Sequence, residues 1–183
     1  IKAHYNGLGH KTSLDDPNMG HWEYRYNALG ELRYQKDATN ITSVFNYDKI
    51  GRKSSQVVGG ETQRWFYDSA VGYGKLRYDT RNGNNSYSRY YNYDAQGRMT
   101  KQTLNANSQS IVTETAFDSH YGRVKAQGYG GKFAIIEHQY NEYGYPTVDI
   151  DTKTGKKLIS RNRYNAMGNV TKQQFSNQLI QTF

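Results

Sequence analysis

Aromatic and charged side chains alternate along short stretches of the chain. In one such stretch Trp22, Tyr24 and Tyr26 are separated by Glu23 and Arg25. A period of two predicts a β-strand with one aromatic face and one charged face. No segment has a sustained helical period, so the pattern predicts an all-β protein.

A short motif, Tyr-[Asn/Asp]-x-x-Gly, follows many of these stretches. From one motif aromatic to the next the steps are 20 to 26 residues long. A period in this range indicates a repeat architecture, in which one copy cannot bury a core alone. Six copies match the motif fully and two are looser; their first residues are Tyr5, Tyr26, Tyr47, Tyr67, Tyr93, Phe117, Tyr140 and Tyr164.

Each motif contains the residues of a tight hairpin turn. Asn or Asp suits the first position, where its side chain accepts a backbone hydrogen bond. Gly three positions later adopts positive φ and closes the hairpin through a bulge. We therefore expect structural turn positions at Gly9, Gly30, Gly51, Gly97, Gly122, Gly144 and Gly168. The expected structural aromatic positions are Tyr24, Tyr26, Tyr47, Tyr67, Tyr93, Tyr140 and Tyr164.

About eight hairpin units, in one array over residues 1–183, predict about sixteen strands. Looser turns link the units at 15–20, 59–60, 81–85 and 153–156, and Pro146 predicts a strand end or edge. At roughly 4.8 Å per strand, one ribbon would be about 75 Å long. An open sheet of that length has to curl or split. The predicted fold is one long, curved antiparallel sheet of tandem β-hairpins.

Composition indicates a thin folded sheet. Leu, Ile, Val and Phe supply 31 of the 183 residues, whereas Tyr alone supplies 18 and Pro only 2. Half-buried aromatic side chains replace a thick aliphatic core in such a chain. There is no Cys, hence no disulfide or thiolate metal site, and the longest aliphatic run is 134–136, so we expect no membrane span. The first residue is Ile1 rather than Met, which suggests a piece of a longer protein.

The net charge of +8 leaves two interpretations open, an anionic partner and a generic solvated basic face. The 24 Lys and Arg are spread through the repeats, often directly after the turn Gly, as in Arg52, Arg98 and Arg123. This distribution favours the solvated face, and we expect no nucleic-acid partner.

The extended motif, Tyr-[Asn/Asp]-x-x-Gly-[Arg/Lys]-apolar, resembles the tyrosine-aspartate (YD) repeat. That repeat occurs in Rhs proteins, in the B and C subunits of bacterial Tc insecticidal toxin complexes and in teneurins. The stretch 65–68 followed by 74–76 resembles a longer repeat form of this family, and the resemblance runs from Tyr5 to about Phe175.

The resemblance implies a β-strip that spirals into a hollow shell. In toxin members the shell encloses a cytotoxic C-terminal polypeptide, so the expected partners are further YD repeats and an enclosed toxin polypeptide. It also implies a protein secreted from a bacterial cell or displayed at its surface. Rhs proteins and toxin C subunits have a self-cleaving region with catalytic Asp residues; no copy of it is found here, so no catalytic residue is carried over.

Other candidate chemistry has a structural explanation in each case. His4 and His21 could face each other on neighbouring strands, and the stretch 149–155 is similar to the start of a calcium loop but lacks the later acidic ligand. Asp15 and Asp16 beside Pro17 are typical of a turn. We expect no enzyme activity, no cofactor and no metal.

The main alternative to a scaffold is an adhesion module that binds carbohydrate or a cell surface. Aromatic faces stack on sugar rings, and Trp22, Trp65, Tyr90 and Tyr91 are the candidate glycan-binding residues. The regular phase of the aromatics within the repeat favours a structural role, because a ligand site would mark one or two copies rather than all. We therefore favour the scaffold over adhesion.

Overall fold

A computed structural model of the chain describes residues 1–130 and 134–183. These residues form seventeen β-strands and no helix. The strands are β1 (Lys2–Tyr5), β2 (Lys11–Asp16), β3 (Gly20–Tyr26), β4 (Leu32–Lys36), β5 (Thr42–Tyr47), β6 (Lys53–Val58), β7 (Glu61–Tyr67), β8 (Leu76–Asn82), β9 (Tyr87–Tyr93), β10 (Met99–Ala106), β11 (Gln109–Phe117), β12 (Val124–Tyr129), β13 (Ala134–Tyr140), β14 (Pro146–Asp151), β15 (Lys157–Tyr164), β16 (Val170–Phe175) and β17 (Ile180–Thr182).

Consecutive strands pair antiparallel, from β1 to β9 and again from β10 to β17. The predicted all-β fold of tandem hairpins is confirmed. Two compact units are distinguished along the chain, Ile1–Tyr90 and Tyr91–Phe183. The first contains β1 to β8 and the beginning of β9; the second contains the end of β9 and β10 to β17.

Alternation along the strands separates a more buried from a more exposed face. In β5, Ser43 and Phe45 are buried, while Thr42 and Val44 between them are exposed. Phe45 is the one buried apolar residue among those that the structure describes. The sheet therefore has no thick core, and half-buried aromatic side chains with strand-to-strand hydrogen bonds hold it together, as the composition indicated.

The predicted bulge is present beside the motif aromatic. In the β3–β4 hairpin the register shifts between Arg25 and Tyr26, so that Tyr26 pairs with Leu32. A bulge closed by a left-handed Gly gives the hairpin the twist of its strands. The same shift occurs beside Tyr5, Tyr47, Tyr67, Phe117, Tyr140 and Tyr164.

The linking turns include three that the sequence did not predict. One, between β4 and β5, is built on Asp37, whose Oδ1 accepts the N–H groups of Thr39 and Ile41, both at 2.9 Å. Asn40 occupies the place of the turn Gly, with φ of 64°. Another, between β10 and β11, consists of Asn107 and Ser108, both with positive φ, and a turn between β16 and β17 that was also not predicted has Gln178 with φ of 68°.

Candidate functional site

The Asn or Asp of each motif organises its turn through its side chain. Asn27 Oδ1 accepts the N–H groups of Leu29 and Glu31, both at 3.0 Å, while the Gly30 N–H donates to the Asn27 carbonyl at 3.1 Å. One carboxamide or carboxylate oxygen thus holds two backbone donors of the turn. Equivalent pairs of hydrogen bonds are made by Asn6, Asp48, Asp94, Asn141 and Asn165.

The expected turn glycines all lie in the left-handed region. Their φ values run from 70° to 85° at Gly9, Gly30, Gly51, Gly97, Gly122, Gly144 and Gly168. Gly168 has a second constraint, because a Cβ atom there would lie 2.5 Å from the ring of Tyr145. At this turn the missing side chain makes room for an aromatic ring of the preceding repeat.

In five repeats the residue directly after the turn Gly contacts the motif aromatic of the next repeat. The Arg52 guanidinium carbon lies 4.3 Å from the Tyr67 ring centroid, which is a cation–π contact. Equivalent contacts join Arg98 to Phe117 (4.2 Å), Arg123 to Tyr140 (4.5 Å), His10 to Tyr26 (4.8 Å) and Tyr145 to Tyr164 (5.2 Å). The side chain changes but the contact is kept, so this position connects consecutive repeats.

The hydroxyl of the motif tyrosine also donates a hydrogen bond to the backbone of the preceding repeat. The acceptor is the carbonyl oxygen two residues after the turn Gly of the preceding repeat. The pairs are Tyr47 with Leu32 (2.8 Å), Tyr67 with Lys53 (2.8 Å), Tyr140 with Val124 (2.7 Å) and Tyr164 with Pro146. Burial raises the pKa of Tyr47, Tyr67, Tyr140 and Tyr164 above the ordinary value, so each hydroxyl keeps the proton that it donates.

The arginines after the turn Gly are paired with carboxylates. Arg52 Nε lies 2.6 Å from Asp48 of its own turn, and its Nη atoms lie 3.2 and 2.8 Å from Asp68 of the next repeat. Within their own turns, Arg98 pairs with Asp94 at 2.7 Å and Arg123 with Asp118 at 3.2 Å. These cations are therefore engaged in the sheet rather than free to form a basic patch.

Among these carboxylates, Asp118 has the most strongly lowered pKa. A hydrogen bond from the Tyr121 N–H, together with bonds from Arg123, outweighs desolvation and lowers the pKa of Asp118 to about 2. The looser copy that begins at Phe117 thus keeps the turn chemistry of the full motif although its aromatic has no hydroxyl.

Tyr24 and Tyr93 complete the expected structural aromatic set. Lys11 Nζ lies 4.5 Å from the centroid of the Tyr24 ring, which also stacks on Trp22 at 6.4 Å. Tyr93 ends β9 as a half-buried residue, and burial raises the pKa of its hydroxyl. Both side chains lie against the sheet.

The four candidate glycan-binding residues are distributed over three strands, β3, β7 and β9. Trp22 is half-buried, and its indole N–H donates to the Met19 carbonyl at 3.0 Å. Trp65 is also half-buried, with Lys53 Nζ 5.4 Å from its ring centroid. Each indole is thus already in contact with a neighbouring residue of the sheet.

Tyr90 and Tyr91 are consecutive in β9 and lie on opposite faces of the sheet, Tyr90 exposed and Tyr91 half-buried. The Tyr90 ring stacks on Tyr78 at 5.5 Å, and Tyr78 stacks on Phe66 at 4.1 Å. Rings stacked in this way cover each other's faces, which are the surfaces that a sugar ring would need. Within the first unit, Trp22, Trp65 and Tyr90 lie on three different strands, and the structure does not bring them together into one aromatic platform.

A buried charged cluster, which sequence reasoning missed, ties three strands of the second unit. Asp149 in β14 accepts hydrogen bonds from His138 Nδ1 in β13 and Arg161 Nη2 in β15, both at 2.8 Å. Burial acts to raise the pKa of Asp149, but the bonds from Arg161 and His138 outweigh it and leave this pKa below the usual value. A buried carboxylate with two such partners is a structural ion pair.

The other candidate ligand groups are engaged in turns or strand pairs. His4 and His21 do not pair with each other, because His4 pairs with Ser13 and His21 lies 2.7 Å from Asp15. Asp151 accepts the Lys153 N–H and the Thr154 hydroxyl, both at 2.9 Å, and so organises a turn. Within residues 1–130 and 134–183 no group of three or more His, Cys, Asp or Glu could hold a metal ion.

Sequence reasoning also missed a row of exposed apolar side chains. The motif turns of a unit join each odd-numbered strand to the next even-numbered one, so they lie along one long edge of its sheet, here named the motif rim. The residue before the turn Gly is large and apolar in most copies and 73 to 83% exposed at Leu8, Leu29, Ile50, Tyr143 and Met167. The sequence signal for this row was the fixed position of the apolar residue, directly before the turn Gly.

Comparison with known proteins agrees with this geometry. No protein-family model matches the chain. The tRNA3(Ser)-specific nuclease WapA of Bacillus spizizenii is 27% identical over 200 residues, which cover 98% of this chain and 8% of that protein. Among solved structures, the Tc holotoxin pore of Photorhabdus luminescens with TccC3 has a TM-score of 0.62 at 15% identity, over 100% of this chain and 12% of that one. The TcdB2–TccC3 complex has a TM-score of 0.62 at 15% identity, over 99% and 12%.

The resemblance to the YD-repeat family is confirmed. The chain has the hairpin-repeat fold of these Tc toxin proteins. It spans about a tenth of the length of the proteins it matches. No helix long and apolar enough to cross a bilayer occurs in the described part of the chain.

Proposed function

We propose that the chain is a non-catalytic segment of a YD-repeat shell that encloses or presents a toxic or otherwise variable C-terminal polypeptide. Its partners are further YD repeats of a longer chain and the enclosed polypeptide. The protein is secreted from a bacterial cell or displayed at its surface.

One observation carries this proposal: the motif residues contact the neighbouring repeat. Arg52 contacts the Tyr67 ring and Asp68 of the following repeat, and the Tyr67 hydroxyl bonds to the Lys53 carbonyl of the preceding one. Such contacts extend a sheet by one unit at a time. An enzyme site would instead gather reactive side chains from several elements around one cleft. The similarity to Tc toxin structures supports the same conclusion.

The nuclease activity that the name of the WapA relative describes is not assigned to this chain. The match covers 8% of that protein, and the residues it aligns with here are those of the repeats. We propose that any toxic activity resides in the polypeptide that the shell encloses.

The test uses the complete parent protein. We expect its reading frame to encode many more YD repeats and an unrelated C-terminal segment, and a parent of about this length would contradict the shell. In the purified parent the C-terminal segment should resist a protease dose that digests the same segment expressed alone. Deletion of residues 1–183 should restore digestion. Equal digestion of the enclosed and the free segment would refute encapsulation.

The carbohydrate-binding alternative has weaker support, because Trp22 and Trp65 are half-buried and in contact with sheet residues. A glycan array with the 183-residue chain separates the two functions. Saturable binding that is lost in Trp22→Ala or Trp65→Ala would favour adhesion, and no binding on the array is expected for a scaffold.

A further inference from the structure

Asn is followed directly by Gly at two places in the chain, Asn6–Gly7 and Asn82–Gly83. In such a pair the main-chain nitrogen of the Gly can attack the side-chain carbonyl carbon of the Asn, because no Cβ on the following residue obstructs the approach. The attack requires the carboxamide to turn towards that nitrogen. The two pairs have the same local chemistry, so the fold around each one decides how fast it reacts.

The first pair is held in a motif turn. Asn6 Oδ1 accepts the N–H groups of Leu8 at 3.0 Å and His10 at 2.9 Å. The main chain of the turn is closed as well, because the Asn6 N–H donates to the His10 carbonyl and the Gly9 N–H donates to the Asn6 carbonyl. Reaction at this pair has to break the hydrogen bonds of the carboxamide first, which slows it.

The second pair lies where β8 ends and the linking segment 83–86 begins. Asn82 is exposed, and no hydrogen bond to its carboxamide occurs within the described residues. The β7–β8 ladder ends at the pair of Thr62 with Asn82, and the β8–β9 ladder ends one residue earlier in β8. Gly83 thus lies beyond both ladders, next to a carboxamide that is free to turn.

The fold also fixes the residue that follows Asn82. Gly83 has φ of 127°, a conformation that side chains rarely allow, and a Cβ there would lie 2.8 Å from Glu61 Cγ. Glu61 is itself held in place, since its carboxylate accepts hydrogen bonds from Arg81 Nε at 3.0 Å and from the Asn84 N–H. Another residue at position 83 would displace Glu61 or strain the main chain. The Asn–Gly pair is therefore built into this linking segment.

We infer that Asn82 is a modification site, at which the folded chain converts asparagine into aspartate and isoaspartate without an enzyme. The Gly83 nitrogen loses its proton and bonds to Asn82 Cγ, and the Cγ–Nδ2 bond breaks, so that the carboxamide nitrogen leaves as ammonia. Water then opens the cyclic imide. Opening at the side-chain carbonyl gives aspartate, and opening at the main-chain carbonyl gives isoaspartate. Ammonia is lost, water is taken up, and no electron is transferred.

The product changes both the charge and the main chain at this turn. A carboxylate replaces a neutral amide, so the net charge of +8 falls by one. In the isoaspartyl form the main chain passes through Cβ, which lengthens the connection from β8 to β9 by one atom next to the partner of Thr62. The modification goes beyond the scaffold function and occurs whether or not a polypeptide is enclosed.

The experiment follows the freshly purified 183-residue chain over time in mildly alkaline buffer. Digestion at acidic pH and tandem mass spectrometry report the fraction of carboxyl product at Asn6 and at Asn82 separately. We expect conversion at Asn82 to be at least about tenfold faster, because two hydrogen bonds hold the carboxamide of Asn6. Labelling by an isoaspartyl methyltransferase should increase with the same time course.

Two controls isolate the effect of the fold. In guanidinium chloride, where the chain is unfolded, the two Asn–Gly pairs should convert at similar rates. Asn82→Gln should abolish the more acidic species that ion-exchange chromatography separates, because a Gln side chain forms the corresponding larger ring far more slowly. A circular dichroism spectrum that matches the unmodified chain ensures that this variant is folded.

Three results would overturn the proposal. Asn82 could convert no faster than Asn6 in the folded chain. It could remain unchanged in the folded chain and react only after unfolding. The acidic species could also arise at Asn84 or Asn85 of the same segment, neither of which is followed by Gly.

Discussion

A pair of Gly to Ala substitutions in the second unit tests whether repeats are joined by aromatic contacts at the motif turns. Gly168 has φ of 78° in a motif turn, and Gly155 has φ of 70° in a linking turn. A Cβ at Gly155 meets nothing within 4 Å, whereas one at Gly168 would lie 2.5 Å from the Tyr145 ring. The backbone strain is thus matched, and only the ring contact differs.

The magnitudes follow from these two environments. An Ala in the left-handed region costs about 1–2 kcal/mol, and both variants carry this cost. At Gly168 the Tyr145 ring has to move away and loses its stack on Tyr164, whose centroid is 5.2 Å distant. Such aromatic pairs are worth about 0.5–1.5 kcal/mol. We therefore expect Gly168→Ala to lower the free energy of unfolding by about 1 kcal/mol more than Gly155→Ala.

Urea unfolding followed by circular dichroism measures this difference. A gap of about 1 kcal/mol corresponds to a melting temperature about 2–4 °C lower for Gly168→Ala in a chain of this length. In a Tyr145→Ala background, Gly168→Ala should cost no more than Gly155→Ala, because the ring that the Cβ meets, and its stack on Tyr164, are already absent. Equal destabilisation by the two glycine variants would refute the ring contact.

Further predictions concern the same contacts. Tyr140→Phe removes the hydroxyl that donates to Val124, so thermal melting should show a loss of about 1 kcal/mol, and no change would contradict this bond. Gly97→Val should lower the melting temperature more than Arg98→Ala, because a β-branched residue resists positive φ; equal losses would count against the assigned turn. The pKa of Asp118 is depressed from 3.8 to about 2, so its stabilising contribution is present above pH 4 and is lost as pH falls towards 2. An acid titration followed by circular dichroism should be flatter in Asp118→Asn, and identical curves would contradict this assignment.

The hairpin repeat could be predicted because its signals are local. Tyr, then Asn or Asp, then Gly at fixed offsets determine a strand end and a turn without reference to the rest of the chain. The turn at Asp37 was missed for the same reason. Its left-handed position is Asn40, and Asn tolerates this conformation but does not mark it as Gly does.

Contacts between distant positions could not be predicted in this way. Arg52 and Asp68 are sixteen residues apart, and they meet only because the strands between them adopt one particular register. The cluster of His138, Asp149 and Arg161 depends likewise on the pairing of three strands. The candidate sugar-binding aromatics were chosen by residue type, which gives no information on which face or neighbour each ring has.

Because the hydroxyl and ring contacts of each hairpin repeat extend only to the next repeat, the described strands share no global core that would fix the number of repeats. Recombination between similar motifs would remove or add one whole hairpin, including the residue directly after the turn Gly and the motif aromatic. The hairpins on either side of the junction would then make the same contacts as before. We therefore expect the number of repeats to vary between related chains without any change in the repeat itself.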